Sequence, residues 1–283
     1  MKYLMHKGYN IPLIGFGTWN IGDYKNKEKD EINTMVYGIK NHDMTLIDTA
    51  EMYGDGRSER LVSSVIKEFD RDKLFIVGKI LPTNAKDGLY IESCKRSLEN
   101  LGIKYFDLYL LHWNIGLDLN DMVKNMEKLK SVGLIKEWGV SNFDVSDMEE
   151  LFRCKDGDKC FLNQVLYNMC ARGIEYDLIP WCKAHNVAVM AYSPLCNSKA
   201  DRECVTNNKA IKDIALRNDR SECSLMLSFV IRNSDVITVV KTSSITHLDS
   251  NIKNVFNPLN DGSLEEINRI YPAPSKKVPL KTI

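Results

Sequence analysis

The sequence predicts an α/β fold of the (β/α)8 type, a TIM barrel with an N-terminal β-hairpin closing its bottom. Short apolar runs typical of buried strands alternate with amphipathic runs typical of helices along nearly the whole chain. Polar residues stand at the ends of those apolar runs, most of them about one βα unit apart. In chain order they are Asp48, Lys79, His112, Ser141, Gln164, Tyr192 and Lys241. Because the strand ends of a barrel meet at one face, we expect these side chains to share one site.

A closed barrel is favoured over an open, doubly wound sheet for two reasons. No G-x-G-x-x-G fingerprint follows an early strand. In addition, the polar residues come from nearly every strand, whereas an open sheet places its ligand at one switch point in the strand order.

The predicted elements follow the chain in a regular order. A hairpin with its turn at Lys7-Gly8 comes first. Strands are predicted at Leu13–Gly17, Met44–Asp48, Leu74–Lys79, Phe106–His112, Glu137–Ser141, Phe161–Gln164, Val187–Tyr192 and Val236–Lys241. Helices are predicted at Glu28–Lys40, Arg57–Phe69, Tyr90–Leu101, Asp121–Ser131, Ser146–Phe152, Tyr176–His185, Asn207–Arg217, Cys223–Asn233, Thr246–Val255 and Ser263–Ile270. Three prolines after Ile270 predict an irregular tail.

The composition is that of a globular protein with a large apolar core. The chain has 283 residues, of which 44% are hydrophobic. We expect residues 1–283 to form a single domain, because α/β barrels run to about 250 residues. Its 38 basic and 38 acidic side chains give a net charge of zero, which argues against a nucleic-acid partner, since such proteins present a basic face. No apolar run approaches the ~20 residues that a membrane helix needs.

The N-terminus and the cysteines predict a cytoplasmic protein. The first residues, MKYLMHKGYN, lack the apolar core of a signal peptide. The eight cysteines include no CxxC pair, and histidines do not cluster beside them. We therefore predict free thiols, with neither a disulfide framework nor a metal site. No long exposed apolar face stands out, so a monomer is the default expectation.

The ends of the early strands indicate acid–base chemistry. A phenol (Tyr53), an ammonium (Lys79), a carboxylate (Asp48) and an imidazole (His112) are expected on one face. Free tyrosine has a pKa near ~10, and a nearby ammonium lowers that value. Tyr53 is then suited to protonate a developing alkoxide, which His112 would aim. Taken singly, Tyr53 and Asp48 are more often explained by packing, a cap or a turn, and His112 by a place in the core, whereas a lysine at a buried strand end is rare unless it is paired.

The later strand ends predict a site for a flat, polar heterocycle that carries phosphate. Ser141, Asn142 and Gln164 supply groups that hydrogen-bond a carboxamide, and Tyr192 can stack on its ring. The KTSS segment at 241–244 places a cation and hydroxyls at a helix start, where an anion is favoured. A cluster of N-cap residues explains that segment equally well.

A series of motifs, in order along nearly the whole chain, resembles the aldo-keto reductase superfamily. They are GFGTW at 15–19, DTAEMYG at 48–54, VGK at 77–79, LLHW at 110–113, GVSNF at 139–143, NQVLYN at 163–168 and AYSPL at 191–195. The resemblance implies an NADPH-dependent reductase of aldehydes and ketones. It also implies a catalytic tetrad of Asp48, Tyr53, Lys79 and His112, with Tyr53 as general acid.

The same resemblance implies the binding residues. For the cofactor they are Gly17, Thr18, Trp19, Ser141, Asn142, Gln164, Tyr192, Ser193, Leu195, Lys241, Thr242, Ser243, His247 and Asn251. For a small carbonyl substrate they are Trp19, Tyr53, His112 and Trp113. His247 stands where NADPH-using members commonly have an arginine, which implies weaker discrimination between NADPH and NADH. No metal is implied.

Two other functions are compatible with the sequence but less well supported. Some barrels of this family act on partner proteins, which would make the chain a cofactor-sensing binding subunit; the complete tetrad argues against this. A metal-dependent hydrolase or isomerase needs clustered histidine and carboxylate ligands at the strand ends, and the sequence does not place them there. The short segment 114–120 and the short tail resemble microbial members with open pockets.

Overall fold

The computed structural model describes residues 1–86 and 88–283. The chain begins with an antiparallel hairpin formed by β1 (Tyr3–His6) and β2 (Tyr9–Pro12). Its turn is at Lys7-Gly8, as predicted, and the two residues have φ values of 44° and 86°. Two successive positive φ angles are typical of the tight turn that matches the twist of a hairpin.

Parallel strands close into one barrel, which confirms the predicted fold class. In the described residues there are eight: β3 (Ile14–Gly17), β4 (Leu46–Asp48), β5 (Phe75–Ile80), β6 (Phe106–Leu111), β7 (Ile135–Ser141), β8 (Leu162–Leu166), β9 (Ala188–Tyr192) and β10 (Val236–Val240). Neighbours in sequence are neighbours in the barrel, and β10 pairs with both β3 and β9 to close it. Strands β5 and β6 are buried at every position, as expected of a parallel sheet covered on both sides.

The hairpin lies against the N-terminal ends of the barrel strands. His6 Nε2 is 3.0 Å from the carbonyl oxygen of Phe161, and Lys7 Nζ donates to the carbonyl oxygen of Cys160 at 2.9 Å. Both carbonyls directly precede β8. The predicted closure of the barrel bottom by the hairpin is therefore confirmed, and the opposite mouth stays free for a site.

Helices cover the barrel. They are α1 (Glu28–His42), α2 (Arg57–Ile66), α3 (Leu89–Leu101), α4 (Leu119–Ser131), α5 (Val145–Arg153), α6 (Leu178–Ala184), α7 (Lys199–Thr206), α8 (Lys209–Arg217), α9 (Glu222–Val230), α10 (Ile245–Ile252) and α11 (Asp261–Ile270). Helix α7 was not predicted, because its segment is mostly polar and buries only Val205. The tail after Ile270 is irregular, as predicted. Among the residues described, none of the helices combines the length and apolar character that crossing a bilayer requires.

Gly139 lies where β7 passes close to β6 and β8. A Cβ at this position would overlap the carbonyl oxygen of Leu162 and lie 2.9 Å from Leu110 Cδ2. We expect Gly139→Ala to lower the free energy of unfolding by about 1–3 kcal/mol, the usual cost of overpacking a tight interior. Urea-induced unfolding followed by circular dichroism measures this loss.

Gly262→Ala is the matched control. Gly262 lies in α11, where an added Cβ would meet Asn260 Oδ1 at an ordinary 3.5 Å. Alanine also favours a helix more than glycine does, so we expect no loss of stability. Equal destabilisation by the two substitutions would contradict the close approach at Gly139.

Candidate active site

The polar strand-end residues converge on the C-terminal mouth of the barrel, around a cavity of about 380 Å³. The predicted site residues that line it are Gly17, Thr18, Trp19, Asp48, Tyr53, His112, Trp113, Ser141, Asn142, Gln164, Tyr192, Ser193, Leu195 and Lys241. Lys79 lies directly behind this lining, within hydrogen-bond distance of both Asp48 and Tyr53. The structure thus brings together the strand-end residues that the sequence singled out.

Lys79 is almost completely enclosed, with 1% of its surface exposed. Its ammonium donates to both carboxylate oxygens of Asp48 at 2.7 Å, to the carbonyl oxygen of Thr49 at 3.2 Å and to the Tyr53 hydroxyl at 3.1 Å. Burial alone would lower the pKa of Lys79, but the charge and hydrogen bonds of Asp48 and Tyr53 outweigh burial and raise it. Lys79 is therefore a fixed positive charge.

Asp48 is held from the opposite side of the barrel. Gln164 Nε2, on β8, donates to Asp48 Oδ1 at 2.8 Å. The backbone N–H and the hydroxyl of Thr18 both donate to the carbonyl oxygen of Asp48, at 3.1 and 3.0 Å. The carboxylate is consequently fixed in the orientation that meets Lys79. Sequence reasoning assigned Gln164 to a ligand and missed this contact, which depends on barrel closure.

Tyr53 lies half-buried in the cavity wall, in the loop that follows β4. Burial raises the pKa of Tyr53, and the nearby Lys79 ammonium lowers it without cancelling the effect of burial. The expectation that the ammonium brings the pKa below its ordinary value is therefore wrong in net direction. The phenol keeps its proton at neutral pH. The Lys79 ammonium would stabilise the phenolate if the proton left.

His112 is a neutral imidazole beside Tyr53. The ring centroids of His112 and Tyr53 are 5.7 Å apart, and the ring of Trp113 lies 4.7 Å from the imidazole. Burial, with a smaller effect from the charge of Lys79, lowers the pKa of His112 to about 3. Its Nδ1 is buried without a hydrogen-bond partner among the described residues. His112 therefore has unused hydrogen-bonding capacity next to the phenol.

Amide and hydroxyl groups form a connected network on the other side of the cavity. The Tyr192 hydroxyl donates to Asn142 Oδ1 at 2.7 Å, and the Ser141 hydroxyl donates to the Gln164 carbonyl oxygen at 2.8 Å. Asn142 adopts a φ of 62°, which asparagine tolerates better than most residues. Its Nδ2 also donates to the carbonyl oxygen of His112 at 3.3 Å. The network fixes these side chains at the barrel mouth.

The segment predicted to bind phosphate lies at the edge of the cavity and lines it only in part. Lys241 lines the cavity and is exposed. The predicted residues that do not line it are Thr242, Ser243, His247 and Asn251. Ser244 caps α10, since its hydroxyl oxygen accepts from the N–H of His247 at 3.3 Å. The N-cap explanation therefore holds for Ser244, while Lys241 remains available to a ligand.

Arg202 is a cavity residue that the sequence did not indicate. It lies in α7 and lines the same cavity as Lys241. A single arginine in a segment rich in charges carries no signal by itself. The structure adds a second cation to the cavity through a helix whose apolar pattern is too weak to predict.

A second cavity and the placement of possible metal-binding side chains bear on the extent of the site. A second cavity of about 470 Å³ lies against the C-terminal tail and contains none of the predicted site residues. Across residues 1–86 and 88–283, no group of three or more His, Cys, Asp or Glu side chains is placed to hold a metal ion.

Known proteins resemble this chain over most of its length. The model of the Aldo/keto reductase family matches residues 13–272. Methylglyoxal reductase YeaE of Escherichia coli (strain K12) is 39% identical over 274 residues, 97% of this chain and 96% of that protein. Glyoxal reductase of Bacillus subtilis (strain 168) is 30% identical over 241 residues, which are 84% of this chain and 81% of that protein. A Klebsiella pneumoniae aldo/keto reductase crystallised with NADP and acetate has a TM-score of 0.96 at 38% identity, covering 100% of this chain and 99% of that one.

The depressed pKa of His112 predicts a pH-dependent stability. The folded value is about 3, whereas an unfolded histidine titrates near about 6.5. Neutral His112 thus stabilises the fold fully above about pH 6.5, and this contribution is lost as pH falls toward about 3. Between about pH 7 and about pH 5 we expect a loss of about 2 kcal/mol from this group. Urea unfolding at about pH 7 and about pH 5 measures this change. The free energy of unfolding should fall less for His112→Asn than for the wild type.

Phe143→Leu is the control for this measurement. Phe143 is fully buried near the site, so its truncation destabilises the fold without removing a titrating group. It should keep the pH dependence of the wild type. The same loss on acidification in all three proteins would contradict a neutral His112.

Proposed function

The chain belongs to the aldo/keto reductase family, and we propose that it is an NADPH-dependent carbonyl reductase with Tyr53 as the general acid. The observation that carries this proposal is the series of contacts from Asp48 through Lys79 to Tyr53, beside neutral His112. Reduction of a carbonyl to an alcohol needs a hydride and a proton. These four residues hold a proton, a fixed positive charge and a free imidazole in one cavity.

The inner part of the cavity fits a nicotinamide. A carboxamide needs both donors and acceptors, and Ser141, Asn142 and Gln164 supply hydroxyl and amide groups at the wall. The amide nitrogen of Gln164 is used by Asp48, which leaves its oxygen for a carboxamide N–H. Tyr192, held through its hydroxyl, offers its aromatic face. When bound, NADPH supplies the hydride.

The outer part of the cavity fits the phosphates of the cofactor. Lys241 and Arg202 are cations of the same wall, and cations recognise phosphate through charge-assisted hydrogen bonds. The N-terminus of α10, capped by Ser244, adds a dipole end that favours an anion. The Klebsiella pneumoniae structures contain NADP and NADPH, which supports the same cofactor here.

Tyr53 holds the proton and delivers it. As negative charge builds on the substrate oxygen, Tyr53 donates its proton, and Lys79 stabilises the phenolate that is left. Because Lys79 is buried, its charge acts more strongly than it would in water. Asp48 contributes indirectly, since its two hydrogen bonds keep Lys79 in place and charged.

His112 positions the substrate oxygen. With its pKa lowered to about 3, it is neutral at neutral pH and contributes an N–H donor rather than a charge. A carbonyl oxygen between His112 and Tyr53 would have two donors, the arrangement that stabilises an oxyanion. Trp113, whose ring centroid lies 4.7 Å from that of the imidazole, limits the movement of His112.

The substrates that fit best are small aldehydes and dicarbonyls. Two relatives at 30% identity or more are named for the reduction of methylglyoxal and glyoxal. A cavity of about 380 Å³ that also holds a nicotinamide leaves room for only a few carbon atoms. Trp19 and Met52 in its wall are 45% and 44% exposed, so the substrate is loosely enclosed and discrimination is expected to be low.

Tyr53→Phe tests the role of the phenol. Removing the general acid should lower kcat by about 10²–10⁴-fold, while the dissociation constant of NADPH should stay nearly the same, because the ring and its surroundings remain. Methylglyoxal reduction followed by NADPH absorbance gives kcat, and protein fluorescence on NADPH titration gives the dissociation constant.

Tyr24→Phe is the matched control, because Tyr24 is 59% exposed and lies outside the cavity. It should behave as the wild type in both assays. If Tyr53→Phe retained more than about a tenth of kcat, against the expected effect of general acid catalysis, another residue would be the proton donor.

Lys241 should favour NADPH over NADH by binding the 2′-phosphate, which only NADPH carries. We expect Lys241→Ala to weaken NADPH binding by about tenfold more than NADH binding, since a charge-assisted hydrogen bond is lost. His247→Arg should strengthen NADPH binding, because arginine grips phosphate with two parallel hydrogen bonds. The ratio of the two dissociation constants, measured by fluorescence titration, is the quantity to compare.

Lys212→Ala, an exposed lysine of α8 outside the cavity, removes the same charge without touching the site. Its ratio should equal that of the wild type. A ratio unchanged in Lys241→Ala as well would place the 2′-phosphate elsewhere.

A further inference from the structure

Two cysteines meet between the loops that follow β8 and β9. The sulfurs of Cys170 and Cys196 are 4.0 Å apart, and the Cys196 thiol donates toward Cys170. Cys196 is 8% exposed, whereas Cys170 is exposed to solvent. All eight cysteines lie in the described residues and are free, so this pair is a dithiol in the structure.

An asparagine side chain holds the two loops together independently of the thiols. Asn168 Nδ2 donates to the carbonyl oxygen of Ser193 at 3.0 Å, and Asn168 Oδ1 accepts from the N–H groups of Cys170 and Ala171, both at 2.9 Å. One side chain thereby ties the Cys170 loop to the Cys196 loop. Cys196 itself is held at a φ of 67°, a conformation uncommon for a residue with a side chain. The approach of the sulfurs therefore does not depend on a bond between the thiols.

A disulfide needs only a small further movement. The S–S bond is about 2.05 Å long, so each sulfur has to move about 1 Å, which side-chain rotation provides. The two thiols also differ in reactivity. The hydrogen bond from Cys196 lowers the pKa of Cys170, and raises that of Cys196. By contrast, burial raises the pKa of Cys94 to about 12, which makes a thiol of that kind inert.

We propose that Cys170 and Cys196 form a redox-active dithiol site, which hydroperoxides or low-molecular-weight disulfides oxidise to an intramolecular disulfide. Cys170 is the attacking thiol because it is exposed and, within residues 1–86 and 88–283, only accepts a hydrogen bond, and Cys196 is the resolving thiol.

The oxidation balances without a further reactant. Cys170 sulfur attacks an oxygen of hydrogen peroxide, the O–O bond breaks, and a sulfenic acid and one water form. Cys196 sulfur then attacks the Cys170 sulfur, the S–S bond forms, and the second water leaves. Together the two thiols give up two electrons and two protons to the peroxide. A small disulfide accepts the same electrons by exchange and leaves as two thiols.

The position of the site connects it to the cavity of the proposed reductase. Cys196 belongs to the segment 193–197 that lines that cavity, whereas Cys170 lines the second cavity beside the tail. A disulfide would tie this lining segment to the loop after β8. On the basis of the proposed function, we infer that oxidation slows the exchange of NADPH, because the segment can no longer move away from the cofactor.

Peptide mass spectrometry tests the chemistry. The wild-type protein is treated with hydrogen peroxide, its free thiols are blocked, and it is digested with trypsin, which cleaves at Arg172 and Lys183 between the two cysteines. We expect a cross-linked peptide pair, assigned to Cys170 and Cys196 by fragmentation and removed by dithiothreitol. Cys170→Ser should give none, and Cys204→Ser, which removes another exposed cysteine, should give the wild-type result.

Sulfinic or sulfonic acids without this cross-link, or cross-links among other cysteines, would overturn the dithiol site. The second readout is the rate of NADPH dissociation, measured by stopped-flow fluorescence. It should be several-fold slower in the oxidised wild type than in the reduced wild type, and unchanged by peroxide in Cys170→Ser. Equal rates in both wild-type forms would refute the effect on exchange. Failure of NADPH to bind either form would refute the proposed reductase, while the cross-link would still stand.

Discussion

A lysine ammonium buried in a barrel destabilises the fold unless a carboxylate and further hydrogen bonds accompany it. Lys79 has them all: two oxygens of Asp48, the carbonyl of Thr49 and the hydroxyl of Tyr53. Each of these partners lies at the end of β4 or just beyond it. Asp48 is in turn held by Gln164 from across the barrel. The closed barrel is thus what makes the charge tolerable, and the charge is what organises the mouth of the barrel.

The charge of Lys79 influences the protonation of both His112 and Tyr53. Burial, assisted by Lys79, lowers the pKa of His112 to about 3, so the imidazole stays neutral. Burial raises the pKa of Tyr53 and Lys79 opposes it, so the phenol keeps a proton that it can still give up. Groups whose surroundings push their pKa values apart are typical of acid–base sites. One ion pair therefore lies beside two hydrogen-bond donors, Tyr53 and His112, which in the proposed mechanism meet a single substrate oxygen.

The sequence predicted the elements whose signal is local. Apolar runs ending in Asp48, Lys79 and His112 located the strands and their order, because a buried strand and its polar end are adjacent in the chain. Helix α7 was missed although Ser198 caps its start, because its segment is mostly polar and buries only Val205. The bond from Gln164 to Asp48 joins residues from opposite sides of the barrel. The net pKa shift of Tyr53 depends on burial set against charge, and only the folded structure gives both.

The site divides into a rigid part and a part that the loops control. Asp48 and Lys79 belong to barrel strands, where every neighbour is buried and little movement is possible. Ser193 and Cys196 lie in a loop with positive φ angles of 51° and 67°, and loops are the segments that move at low cost. In the proposed mechanism, the charge that supports Tyr53 therefore lies in the part of the fold that changes least. The cofactor exchange that we propose for this site would depend on a loop that substitution, or oxidation of its thiol, can alter without disturbing the buried charge.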